Sequence, residues 1–205
     1  MSEEKAEAIQ HLSAIKLALV DKDVFFPYNY NALLVWGVIG MFMALFMGML
    51  LKTSVLYGTV FSFVMMTLGF VIESFLTKEV NKNYDIESCT QKQKFIATLF
   101  TIITFFAISL AALLAKYELI VPAYIIWIFL CGVGYFAIGF VLNIKIFVSF
   151  AKLKMLVAFL LMSASYFVAD LGDIASVYFY FVQAITFVLL GIVPIYIGQK
   201  LKKEL

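Results

Sequence analysis

The sequence predicts an all-α, polytopic integral membrane protein: six transmembrane helices forming three antiparallel hairpins, preceded by a cytoplasmic amphipathic helix. Three observations carry that prediction. Hydrophobic residues make up 64% of the 205-residue chain and the mean hydropathy is +1.04, far above soluble globular usage. Charge-free runs recur that are long enough to cross about 30 Å of hydrocarbon, which takes roughly 20 residues of helix. The lysines fall almost entirely in alternate loops.

Residues 1–29 form the entry segment. Ile9, Leu12, Ile15 and Leu19 stand at helical spacing, with Glu3, Glu4, Glu7, Gln10 and Lys16 on the other face. The segment is net acidic, so it suits docking on a basic protein surface better than anionic lipid. It has no uninterrupted apolar stretch of the kind a signal peptide carries. Pro27 ends the helical run before the chain enters the bilayer.

The six spans are expected at about 32–51, 53–76, 95–115, 119–142, 152–169 and 174–197, followed by a basic tail at 200–205. The last two share one run. Between Lys154 and Lys200 only Asp170 and Asp173 are charged, and a single helix over that stretch would be about 68 Å long, twice the membrane. The run must reverse, and Asp170, Leu171, Gly172 and Asp173 supply its turn-forming residues. The fifth span is short. Either Lys152 and Lys154 snorkel along their helix or Asp170 is drawn below the surface, and the first is the simpler expectation.

Lysine counting orients the chain. With the N-terminus inside, 13 of the 15 lysines are cytoplasmic and only Lys52 and Lys116 lie outside. Both termini are then cytoplasmic, as expected of a plasma or bacterial inner membrane protein, and the aspartate turn faces out.

Four sets of residues are candidates for more than anchoring. Glu73 and Lys145 lie at similar depth near the inner ends of the second and fourth spans and are expected to pair, because an ionisable group in a membrane needs a partner or water. Asp170 and Asp173 are read as a solvated turn; the competing reading is an outer acidic site that, with nearby tyrosines, takes a cation. Ala107, Ala111 and Ala115 stand four apart and Ala184, Gly191 and Gly198 seven apart, as in helices that approach closely. Gly37, Gly40 and Gly48 make a looser set. Tyr28, Tyr30, Trp36 and Tyr196 are expected to anchor one interface and Tyr57, Tyr117, Tyr124, Tyr178 and Tyr180 the other.

Several chemistries have no residues to support them. Arginine is absent and histidine occurs once, as His11, so planar recognition of nucleic-acid phosphate and paired-histidine metal or haem sites are not expected. Cys89 and Cys131 fall in different compartments and form no CxxC motif. The chain is therefore expected to be non-enzymatic and without a cofactor. The lipid bilayer is its first partner, and the small-residue stripes leave room for a protein partner or a second copy. Two functions follow: binding a partner through the cytoplasmic face in assembly, regulation or signalling, or serving as a small transporter, channel or substrate-capture subunit for a small solute or cation.

Overall fold

The structure is a computed structural model that describes residues 11, 12, 15, 29–83 and 89–203. The expected amphipathic helix lies outside the described residues, apart from three isolated helical positions. Every regular element among the described residues is helical, and six stretches are long and apolar enough to cross a membrane.

The helices are α1 (Tyr30–Thr53), α2 (Val55–Asn83), α3 (Gln91–Lys116), α4 (Ile120–Val141), α5 (Lys145–Ser165) and α6 (Val177–Thr186), then a π-helical segment (Phe187–Ile192) and α7 (Val193–Lys203). The last three elements form the sixth span. Local chemistry explains the joints. At α3, Thr90 and Gln93 form a capping box, each side chain accepting from the other's backbone N–H, and Gln93 also exchanges two hydrogen bonds with Asn81 of α2. Helices α3 and α4 both end in the paired 6→1 and 5→2 bonds of a Schellman motif, with Glu118 (φ 58°) and Asn143 (φ 54°) at the left-handed position usually held by glycine.

Pro194 accounts for the π-helical segment. Its ring nitrogen cannot donate to Leu190, four residues earlier, and the segment that absorbs this mismatch runs up to Ile192. The extra residue per turn rotates the helix face. Gly191 and Gly198 are buried against α1, whereas Ala184, in seven-residue register with them, is exposed. The three residues expected to share one stripe do not.

Packing centres on α4, which lies along both α3 and α5 and also meets α6 and α1. Helix α1 packs along α2 and, on another side, along the sixth span. The fifth and sixth spans were expected to form a third hairpin; their main neighbours are instead α4 and α1 respectively, and they meet near the connection, where the Tyr178 hydroxyl of α6 reaches Leu161 and Ser165 of α5. Length explains it. The connection from 166 to 176 has eleven residues where a tight turn was expected, enough to let the two helices take different main neighbours. It is pinned to the neighbouring loop: Leu171 O accepts from Val121 N, a free donor in the first turn of α4, at 2.9 Å.

Two close helix crossings hold the bundle. A methyl on Gly40 would stand 2.1 Å from Leu190 O, and one on Gly37 would stand 2.7 Å from Gly191 O, so α1 and the sixth span meet backbone to backbone. The glycines that looked least informative in sequence make this contact. Gly132 and Gly139 on α4 receive α5 in the same way, facing Met155 and Val148. The stripe Ala107, Ala111 and Ala115 is buried on α3. Large side chains such as Phe105, Phe140 and Phe159 point outward, as a lipid-facing surface requires.

Candidate functional site

One face of α4 carries Tyr124, Trp127, Cys131, Tyr135 and Ile138, spaced by three or four residues, and this face turns toward the bundle interior. A cavity of about 80 Å³ lies there, enough for a few waters or a small apolar group. Most of its wall is apolar. Its polar members include Glu73 on α2, Thr104 on α3, Trp127 on α4 and Lys154 on α5, with Thr186 on the sixth span.

Lys154 is the group that calls for explanation. Helix α5 begins at Lys145, so Lys154 is nine residues in, about 14 Å along the axis and near the middle of the span. Its side chain is 0% exposed. The ammonium Nζ stands 3.9 Å from the centre of the Tyr135 ring and 4.4 Å from that of Phe150, and it has no hydrogen-bond partner. Aromatic faces offset part of the cost of taking an ammonium out of water, but they supply no acceptor. The lysine at 152 is exposed. Two residues on a helix are about 200° apart, so one lysine reaches the surface while the other turns inward. Lys154 therefore neither snorkels nor counts as a loop lysine.

Two more buried donors in the cavity wall lack partners. Trp127 Nε1 and Thr104 Oγ1 make no hydrogen bond, in side chains 4% and 5% exposed. Buried polar groups in folded proteins are rarely left so, and three lining one cavity amount to an unfilled set of donors.

Glu73 lines this cavity near the inner end of α2. Trp36 Nε1 donates to its Oε2 at 2.8 Å, and Trp36, expected as an interface anchor, thereby ties α1 to α2. Glu73 and Ile96 also line a second cavity of about 160 Å³, whose wall includes Asn29, Thr77, Lys78 and Gln93 at the lysine-rich end of the bundle. Glu73 and Ile96 therefore stand between two adjacent cavities. Lys145 is not part of this arrangement: it is exposed, and α2 and α5 are not packed neighbours. The structure gives Glu73 an indole where the sequence suggested an ammonium.

At the other side of the interior cavity a tyrosine enters a helix ladder. Tyr124 OH donates to Ala44 O at 2.9 Å and accepts from Gly48 N at 2.8 Å, bridging a pair that would normally bond each other within α1. Gln183 Nε2 donates to the same Ala44 O at 2.9 Å. Tyr124, expected in an interfacial belt, is fully buried instead. Tyr178 is also engaged internally, with its hydroxyl on Leu161 O and Ser165 Oγ.

The aspartates lie away from the cavity. Asp170 is exposed, and its carboxylate accepts from Gly172 N at 2.8 Å; Asp173 accepts from Ala175 N at 2.8 Å. Each is folded onto the backbone two residues ahead, the local geometry of a turn. Among the described residues, no group of three metal-ligating side chains converges.

Compared with protein-family models, curated proteins and solved structures, the chain gives no match. Any functional reading therefore rests on the cavity and its lining.

Proposed function

We propose that the protein is a membrane-embedded solute-binding protein of the transporter, channel or substrate-capture class, with the interior cavity as its binding chamber and the cavity at the lysine-rich end as its cytoplasmic vestibule. The supporting observation is the buried Lys154 ammonium, which lines a cavity at mid-span without a hydrogen-bond acceptor. An ionisable residue at that depth is expensive and marks a substrate or ion pathway more often than a structural contact. The π-helical segment beside the cavity, contributing Leu190 to its wall, fits the same reading, since such segments concentrate at functional sites. Partner binding through the cytoplasmic face was the other expectation from sequence, and the N-terminal segment that would contribute to it lies outside the described residues.

The native cysteines supply the test. Cys131 is half-buried and lines the interior cavity, while Cys89 is exposed and lines the vestibule. In a Cys89→Ser background, a small neutral, water-soluble thiol reagent added to the cytoplasmic side of sealed membranes should modify Cys131. A Cys131 that reacts only after detergent unfolding would contradict a water-connected chamber.

A further inference from the structure

The donor set of the chamber, more than its size, indicates what it takes. We infer that it binds a small amphiphilic acid: a molecule with a compact apolar body and a carboxylate head, the head received by Lys154, Trp127 and Thr104. This rests on reading the cavity as a binding chamber and specifies the ligand class.

All three groups can donate a hydrogen bond to a carboxylate, and an ammonium and an indole N–H cannot accept one. A ligand that satisfies them must bring acceptors, and the ammonium favours acceptors that carry negative charge. A neutral ligand would leave the lysine charge uncompensated in a poorly solvated interior. A cationic one would add like-charge repulsion. The carboxylate of Glu73 does not fill the role: no ion pair links it to Lys154, and its Oε2 is taken by Trp36. It lies on the wall shared with the vestibule, where it would disfavour a head group lodged beside it and so favour one seated deeper, on Lys154. The apolar body has its own complement in Met43, Met47, Met66, Ile103 and Phe100. Methionine and isoleucine walls adapt to a short aliphatic body, so the head group sets specificity.

The bilayer and the aqueous phase are both possible sources of such an acid, and the cavity favours the second. A volume of about 80 Å³ is far too small for a long acyl chain, and the adjacent second cavity is lined by the polar Lys78, Gln93 and Thr77.

Purified protein in detergent should be titrated with acetate, propionate and butyrate, and with propionamide, propylamine and propanol as neutral and cationic counterparts. Oleate serves as the lipid-derived arm. Thermal unfolding and calorimetry are the readouts. At least one short acid should raise the melting temperature saturably, while its amide, alcohol and amine counterparts should not. Lys154→Met should abolish that effect, and Thr104→Val and Trp127→Phe should each weaken it about tenfold, the worth of one donor. Neither of the last two substitutions removes a charge, and each gives its own readout if Lys154→Met expresses poorly. No stabilisation by any short acid, stabilisation by oleate alone, or stabilisation that survives in all three variants would overturn the inference. Modification of Cys131 by a neutral reagent does not depend on any of these acids. If Cys131 reacts and no acid binds, the chamber stands and the ligand class falls.

Discussion

The Lys154 ammonium rests 3.9 Å from the centre of the Tyr135 ring, midway along a membrane-spanning helix and without a hydrogen-bond acceptor. An aromatic face is worth about 0.5 to 2 kcal/mol to a cation, and desolvating an ammonium costs several kcal/mol. The contact therefore holds the charge in place without compensating it. Lys154→Met, which keeps the shape and removes the charge, should leave the stability unchanged or raise it by about 1 to 3 kcal/mol. Thermal unfolding in detergent measures this, and a loss of several kcal/mol would mean that the lysine is a structural element.

Trp36 and Glu73 should be coupled. Removing the indole donor by Trp36→Phe and the acceptor by Glu73→Met should give a double-mutant coupling of about 1.5 to 3 kcal/mol, typical of a hydrogen bond to a charged group. Glu73→Met combined with Lys145→Met should be additive within about 0.5 kcal/mol, since those side chains do not meet. Coupling in the second pair and none in the first would reverse the assignment.

Tyr124 should stabilise α1 through its hydroxyl alone. Tyr124→Phe leaves Ala44 O with only Gln183 as partner and Gly48 N with none, at a cost of about 1 to 3 kcal/mol. Amide exchange should localise that cost to Gly48. Uniform loosening of the bundle would argue against the inserted hydroxyl.

Glycine substitutions should separate by what the new methyl meets. Gly40→Ala drives it into the Leu190 carbonyl, 2.1 Å away, where backbone must move, and should cost about 3 kcal/mol or more. Gly132→Ala meets the flexible Met155 side chain at 2.9 Å and should cost visibly less. Equal losses would indicate that α1 and the sixth span are not held as closely as described.

The spans were legible because the bilayer imposes a crude rule: each needs a long apolar run, and charges mark its ends. That same rule hid Lys154. Read as an edge marker, it pushed the start of the fifth span to 152, whereas the helix begins at Lys145 and carries the lysine inside. A finer pattern was available. Phe147, Phe150, Ala151, Lys154, Ala158 and Leu161 follow helical spacing on one buried face, and Lys152 falls off it. Helix neighbours were less legible, because lipid is as apolar as the helix surfaces and hydropathy cannot say which faces meet. Only the glycines, through what their missing side chains allow, recorded the α1 and α4 contacts. Length arithmetic put a break in the long apolar run near Asp170, and the non-helical connection that contains it runs from 166 to 176.

If Lys154 makes the interior cavity a site for negative charge, Cys131 on the same wall senses that charge. In a Cys89→Ser background, the rates at which Cys131 reacts with anionic and cationic methanethiosulfonate reagents of matched size should be compared, with Lys154 present and with Lys154→Met. The anionic reagent should react at least about tenfold faster when the lysine is present, a modest field effect for a poorly solvated site, and the preference should vanish in the variant. Equal rates with Lys154 in place, or a faster cationic reagent, would contradict the account.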